Sequence, residues 1–210
     1  MPSSPAAAKA ISVADRPGAT PLSGLVTLMI RRRILISAIL FGSMIALDVV
    51  YGPKPHDLFD WRDRVSVVGV LLVAGGLALR SWAAGVLHKD AELTTGGPYG
   101  LIRNPLYVGS FLMMFGFCAL LGNPVNYLFV LGPVLLIYVI KVRQEERVLA
   151  TRFAHGWVEY ARATPRFLPR LRRGGPSAEW QFSQWVHHRE YQAFAATLAA
   201  LAAIQIWHSM

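Results

Sequence analysis

Long apolar stretches separated by short polar ones are the dominant pattern in this chain. Residues 34–51 and 65–87 are each long enough to cross the hydrocarbon core of a bilayer as a helix, and residues 106–121 and 125–140 are shorter apolar runs. The last apolar stretch, residues 191–207, is rich in alanine and predicts either a fifth span or a helix lying in the interface. The pattern predicts an all-α, polytopic membrane bundle of about five transmembrane helices.

The connection between the third and fourth apolar runs is very short. Only Gly122, Asn123 and Pro124 separate them, so the two helices must be antiparallel neighbours. We therefore expect a tight helical hairpin whose outer ends return to one membrane face. The polar residues 93–109, before the hairpin, and 141–169, after it, are then side by side, with the second forming a cytoplasmic C-terminal cofactor-binding region.

The charge of the chain fits a membrane protein. Hydrophobic residues make up 54% and charged residues 16%, against about a quarter charged in soluble domains. The formal net charge is +9, but the basic residues lie between apolar runs rather than on a soluble basic face with stacking aromatics, which excludes nucleic acid as a partner. The basic clusters, at residues 31–33, 89–103 and 141–173, fall on alternate polar segments, and this predicts that those segments are cytoplasmic.

The chain divides into three parts by composition. Residues 1–33 form a lead, with a disordered stretch at 1–21 and an interfacial, uncleaved segment at 22–30. Residues 34–175 form the membrane core, and residues 176–210 form a C-terminal membrane or interfacial helix. The single cysteine, Cys118, excludes an intrachain disulfide.

Two polar segments are candidates for a site. In the first, Gly96, Gly97 and the Asn104–Pro105 pair predict a loop with exposed backbone N–H groups that attract an anion, although an ordinary helix start has the same pattern. In the second, Glu145 is suited to anchor an ammonium or ribose hydroxyls, although a solvated charged helix face is the simpler alternative. Arg80, near the end of the second span, either snorkels or faces the bundle interior, where it can meet a cofactor carboxylate.

Four runs of residues occur in an order typical of one group of enzymes. They are LTTGGPY (93–99), RNPLYVG (103–109), EERVLATRF (145–153) and WVEYARATPRFLP (157–169). In these runs, over about residues 65–170, the chain resembles the isoprenylcysteine carboxyl methyltransferase family and the related phospholipid N-methyltransferases. The resemblance implies S-adenosylmethionine as cofactor. The cofactor-binding positions that it implies are Leu93, Thr94, Tyr99, Arg103, Asn104, Pro105, Leu106, Tyr107 and Glu145.

Three positions depart from the family pattern, one of them Ala91, which stands where the family has a histidine. Asn104 stands where eukaryotic members have histidine, which leaves hydrogen bonding possible but removes a proton-transfer role. Lys141 stands where the family has a substrate-facing arginine, and Arg143 is the nearest guanidinium. We expect Arg143 or Arg147 to orient an anionic acceptor, and Glu146 to accept a proton if the acceptor is an amine.

These observations predict an S-adenosylmethionine-dependent methyltransferase with a lipid-like, prenylated or small hydrophobic acceptor that carries a carboxylate, thiol or amine. One alternative is a sterol- or steroid-type reductase that uses NADPH and shares an Arg-x-Pro-x-Tyr element. The other is a non-enzymatic lipid-binding or scaffold protein. No metal site is expected, because His187, His188 and Glu190 do not have the spacing of a ligand set.

Overall fold

The chain is described by a computed structural model that covers residues 33–88, 92–169 and 178–210, with side chains from residue 42 onward. Residues 1–32, which include the predicted disordered and interfacial segments of the lead, lie outside these ranges, as do residues 89–91 and 170–177. The described part is all-helical. Its elements are α1 Arg33–Tyr51, α2 Arg64–Val86, α3 Pro98–Leu101, α4 Pro105–Leu121, α5 Val125–Phe129, a π-helical turn Val130–Val134, α6 Leu135–Ala163, α7 Phe182–His187 and α8 Glu190–Ser209.

All five predicted apolar runs coincide with helical segments. Two helical stretches in the described part, Arg64–Val86 and Val125–Ala163, are long and apolar enough to cross a membrane. Helix α2 begins where the sequence changes from polar to apolar, since the Asp63 carboxylate caps it by accepting from the backbone N–H of Val65. The number of five spans stays a prediction.

Glycines set the contact between α2 and α4. A methyl group at Gly76 would lie 2.5 Å from the carbonyl oxygen of Gly109, and one at Gly116 would lie 2.6 Å from that of Gly69. The two backbones therefore approach so closely that no side chain fits between them. Because Gly69 meets Gly116 and Gly76 meets Gly109, the helices run antiparallel.

The hairpin after α4 has the tight turn that its sequence predicts. Gly122 ends α4 in the left-handed conformation with φ 72°, which a side chain would strain. Aromatic rings then pair along the two arms, with Phe115 stacked on Tyr127 and Phe111 edge-on to Tyr138 at a centroid distance of 5.2 Å. The returning arm contains Pro133 within its π-helical turn.

Helix α6 extends well past the membrane run. The sequence predicts a separate helical start at Lys141, whereas the helix continues through this residue because no glycine or proline interrupts it until Gly156. It breaks at Ala154, whose φ of 37° and ψ of −105° are not helical. The break redirects the following residues, so that Trp157 and Tyr160 are buried against the segment before α4.

Helix α8 runs alongside α2 from one end to the other. At its start Glu190 pairs with Arg80 of α2, and near its end the Gln205 amide oxygen accepts from the backbone N–H of Leu58, 2.9 Å away. At that second end Asp48 is buried and accepts from the side-chain amides of Asn123 and Asn126. Asp48 therefore ties α1 to the hairpin turn, and its buried carboxylate is satisfied by the two asparagine amides.

Candidate active site

The buried carboxylate of Glu146 is the centre of the candidate site. Arg166 donates to both of its oxygens, with Nε 3.1 Å from Oε1 and 3.0 Å from Oε2. Arg103 pairs with Oε1 at 3.3 Å, and the side-chain amide of Asn104 donates to the same oxygen at 3.2 Å. Three side chains from two distant parts of the sequence therefore converge on one carboxylate.

Backbone contacts hold the two parts together. The N–H of Arg103 donates to the carbonyl of Pro165 at 2.8 Å, and the amide of Asn104 also donates to the carbonyl of Arg166. The hydroxyl of Tyr160 donates to the carbonyl of Tyr99 at 2.8 Å. The segment that follows α6 thus closes directly over the loop that precedes α4.

The cluster carries an excess of positive charge. Arg103 and Arg166 contribute two cations and Glu146 one anion, and the guanidinium of Arg103 also lies 5.9 Å from the centroid of the Trp157 ring. The hydrogen bonds to Glu146 raise the pKa of Arg166 above its ordinary value, so this side chain stays charged. The Nε of Arg103 is buried and has no hydrogen-bond partner among the described residues. An anion placed here would gain both charge neutralisation and a hydrogen bond.

Tyr99 reaches from this cluster toward the end of α2. Its ring packs on Ala83 and Val86, with Leu106 beside them. Burial raises the pKa of its phenol, which therefore stays protonated. No described residue hydrogen-bonds the phenol oxygen, although the oxygen is buried.

Several of the other predicted cofactor residues lie near this point. The hydroxyl of Thr94 accepts from the backbone N–H of His88 at 3.1 Å, and Leu93 lies next to Gly156 just after the break in α6. Pro105 is buried in the first turn of α4, next to Asn104 at the N-cap position. Tyr107, in the first turn of α4, contacts Tyr138 edge-on, with ring centroids 5.5 Å apart.

The remaining predicted residues are at the edge of the cluster. Glu145 pairs with Lys141 at 3.3 Å and its side chain is 42% exposed, although its charge acts on the phenol of Tyr99. Arg143 is exposed, and Arg147 lines an open groove with Val148, Thr151 and Arg152 on the outer face of α6. The arginines that contact Glu146 are Arg103 and Arg166, so the assignment of the acceptor-orienting cation to Arg143 or Arg147 has no contact that supports it.

Sequence reasoning missed three residues of the cluster. Trp157, Tyr160 and Arg166 all fall in the run WVEYARATPRFLP, yet none was singled out for the site. The usable signal was the pair of prolines, Pro165 and Pro169, which ends the helix and predicts a turning segment. The direction of that turn depends on the break at Ala154, which no local pattern indicates.

A comparison with known proteins shows which family the sequence is similar to. The phospholipid methyltransferase family matches residues 65–156, from the start of α2 to just beyond the break in α6. The chain resembles that family over this segment. The resemblance inferred from the four sequence runs is therefore confirmed.

Curated relatives extend the match. Protein-S-isoprenylcysteine O-methyltransferase of Schizosaccharomyces pombe is 30% identical over 98 residues, which is 47% of this chain and 42% of the relative. The nickel-cobalt-cadmium resistance protein NccN of Alcaligenes xylosoxydans xylosoxydans is 29% identical over 163 residues, or 77% of this chain and 76% of the relative. The cobalt-zinc-cadmium resistance protein CzcN of Cupriavidus metallidurans is 37% identical over 109 residues, or 51% and 49%. No solved structure matches.

Proposed function

We propose that this protein is an integral membrane methyltransferase that uses S-adenosylmethionine and acts on a lipid-like, prenylated or small hydrophobic acceptor. The observation that carries the proposal is the convergence of Arg103 and Asn104 with Arg166 on buried Glu146. The residues of this cluster come from three of the sequence runs that resemble methyltransferases, at 103–109, 145–153 and 157–169. The first two of these runs lie within the family match.

The residues present fit the cofactor. Its sulfonium carries an electrophilic methyl group, so the protein has mainly to bind, orient and exclude water. Leu93, Leu106 and Tyr99 offer apolar and aromatic surface for an adenosine. The half-exposed carboxylate of Glu145 is suited to ribose hydroxyls, and the unpartnered phenol of Tyr99 supports a polar ligand in this space.

The charge of the cluster favours an anionic acceptor. Glu146 already receives hydrogen bonds from Arg166 and Asn104 and an ion pair from Arg103, so it is poorly suited to accept a proton from an amine. Its role in the proposal is to hold the two guanidinium groups in place. Arg103 and Arg166 then orient a carboxylate or thiolate, and a carboxylate can accept from such a pair in the bidentate manner.

The position of the cluster suits a reaction at the membrane surface. It lies beyond the ends of α2 and the hairpin, on the side that the basic residues predict to be cytoplasmic. A multi-pass arrangement with the site on this side lets a polar cofactor enter from water and an apolar acceptor enter from the bilayer. We propose this orientation together with the activity.

The names of two relatives refer to resistance to metals and do not state a reaction. Among the residues that the structure describes, no group of three or more histidine, cysteine, aspartate or glutamate side chains is arranged to hold a metal ion. Our proposal assigns the site to methyl transfer.

Binding measurements on the purified protein in lipid nanodiscs test the proposal. We expect saturable binding of S-adenosylhomocysteine and none of NADPH; the opposite result would favour the reductase, and binding of neither would favour a scaffold. Glu145→Gln and Tyr107→Phe should both weaken S-adenosylhomocysteine binding. Tyr51→Phe, on an exposed side chain at the far end of the molecule, is the control and should leave the binding unchanged.

A second measurement tests the acceptor class. Membrane extracts incubated with methyl-labelled cofactor should yield a labelled product that mild alkali cleaves if it is an ester. Arg166→Gln should lower the labelling by about 10- to 100-fold, the loss expected for a charge-assisted hydrogen bond. Undiminished labelling in this variant would contradict the role given to Arg166.

A further inference from the structure

A second buried polar cluster lies next to the site, between α2, α4 and α8. The guanidinium of Arg80 pairs with the carboxylate of Glu190, whose side chain is only 5% exposed. Its Nη1 also donates to the hydroxyl of Ser110 at 2.5 Å. Neither Arg80 nor Glu190 has a part in the site described above, and Glu190 lies outside the segment that the family match covers.

The polar groups of this cluster are incompletely satisfied. Arg80 Nε, Glu190 Oε2 and the phenol oxygen of Tyr99 are all buried, and none has a hydrogen-bond partner among the described residues. Tyr99 packs on Ala83, one turn of α2 from Arg80, and beside Leu106, whose carbonyl accepts from the Ser110 hydroxyl that Arg80 also binds; the three groups therefore lie in one region. A buried polar group without a partner is costly, and three together indicate a ligand that completes them.

The backbone is shaped to place Arg80 there. A methyl group at Gly109 would lie 2.7 Å from Arg80 Cγ, so this position leaves room for the arginine stem to pass α4. Gly109 belongs to the same turns of α4 as Ser110 and Leu106, next to the Arg103–Asn104 segment. Tyr99 connects the two clusters, because its carbonyl accepts from Tyr160 on one side and its ring packs on Ala83, one helical turn from Arg80, on the other.

The free hydrogen-bonding capacity of the cluster defines the ligand. Arg80 Nε–H and the Tyr99 hydroxyl can donate to a carboxylate, and Glu190 Oε2 can accept from an ammonium. Arg80 and Glu190 together are neutral, so a ligand with a single net charge would stay uncompensated at this buried place, whereas a zwitterion would be compensated. We propose that Arg80, Tyr99 and Glu190 bind the α-amino acid end of the methyl donor. The inference rests on the proposed function and makes these three residues the determinant that orients the donor.

A comparison of two ligands isolates this contact. S-adenosylhomocysteine carries the amino acid end, whereas 5′-methylthioadenosine has the same nucleoside and thioether without it. We expect Arg80→Gln and Glu190→Gln each to weaken S-adenosylhomocysteine binding by about 10- to 100-fold and to change 5′-methylthioadenosine binding by less than about twofold. Calorimetric titration of the full chain in nanodiscs measures both affinities without any need for turnover.

Further variants separate binding from folding. Tyr99→Phe removes only the hydroxyl and should weaken S-adenosylhomocysteine binding several-fold, even if Arg80→Gln proves too unstable to purify. Gln205→Leu is the matched control, since it breaks the other attachment of α8 and leaves Glu190 in place; it should bind S-adenosylhomocysteine like the unmodified chain.

The possible outcomes are distinct. If the unmodified chain binds S-adenosylhomocysteine and the Arg80, Glu190 and Tyr99 variants bind it equally well, this inference is wrong and the proposed function stands. Equal weakening of both ligands would also overturn it, because the effect would then be on the pocket as a whole. If the unmodified chain binds neither ligand, the proposed function itself fails.

Discussion

Glu145 and Glu146 are neighbours in sequence with opposite environments. Consecutive helical residues point about 100° apart, so only one of the two can face the loop before α4. Glu146 does so, buried under Arg103 and Arg166, while Glu145 is half-exposed beside Lys141. The sequence predicted that this pair belongs to the site, but it could not indicate which partners each carboxylate has, because Arg166 approaches only through tertiary structure.

Tyr160 offers a test of closure at the scale of a single residue. Tyr160→Phe removes the donor to the Tyr99 carbonyl and leaves a buried acceptor unsatisfied, which should cost about 1–3 kcal/mol of unfolding free energy. We also expect weaker S-adenosylhomocysteine binding, because Tyr99 is then less firmly held. Denaturant unfolding and ligand titration measure the two effects.

The control for this variant is a tyrosine whose side chain is exposed. Tyr51→Phe changes the same chemical group on a side chain that is 83% exposed, and it should alter neither quantity. A Tyr160→Phe protein as stable as the Tyr51→Phe protein would mean that the hydroxyl does not hold the closing segment in place.

At the scale of elements, the packing of α2 on α4 depends on which glycine faces the partner helix. Gly75 and Gly76 are adjacent, but a methyl group at Gly76 would lie 2.5 Å from the Gly109 carbonyl, whereas one at Gly75 would meet nothing within 4 Å. The same substitution at these two positions therefore has opposite consequences.

Gly76→Ala should destabilise the protein by about 1–3 kcal/mol, because the helices must move apart. Gly75→Ala should be neutral or stabilise it by up to about 1 kcal/mol, since alanine is the better helix former. Thermal unfolding in detergent compares the two variants directly. Equal unfolding temperatures would contradict the close approach of α2 and α4.

The local sequence pattern predicted where the helices lie but not where they bend. The apolar runs predicted α1, α2, α4 and the returning arm, and the Gly-Asn-Pro connection predicted the hairpin, because membrane helices and tight turns are determined by short stretches of sequence. The break at Ala154 was not predictable, since alanine favours a helix more than any other residue. The break accompanies the packing of Trp157 and Tyr160 on residues that are distant in sequence, which no local pattern indicates.

At the scale of the whole molecule, chemistry is concentrated at one end. The Glu146 cluster and the Arg80–Glu190 pair lie toward the end of α2 that leads into α3. The opposite end contains the loop of residues 52–63, where Nδ1 of His208 donates to the carbonyl oxygen of Pro55 at 2.7 Å, and Asp48 binds the hairpin turn. If α2 crosses the bilayer, these two ends face different compartments.

Thiol labelling tests this arrangement. The single native cysteine, Cys118, is buried and is first replaced by alanine. Into this Cys118→Ala protein we would introduce either Arg62→Cys, in the loop of residues 52–63, or Glu92→Cys, in the segment before α3. A membrane-impermeant reagent should label the Glu92→Cys protein in inside-out vesicles and the Arg62→Cys protein in right-side-out vesicles. Labelling of both positions from the same side would contradict both the spanning of α2 and the proposed cytoplasmic site.

The π-helical turn at Val130–Val134 has a consequence for this geometry. Such a turn accommodates one more residue than a regular α-helical turn, so it rotates everything after it by about 100° relative to an uninterrupted helix. Tyr138 and Glu146 both come after it and share the phase that it sets. A regular helix of the same sequence would present different side chains to the loop that contains Arg103. The wide turn near Pro133 therefore determines which carboxylate of α6 the arginines contact, although it lies about a dozen residues earlier in the chain.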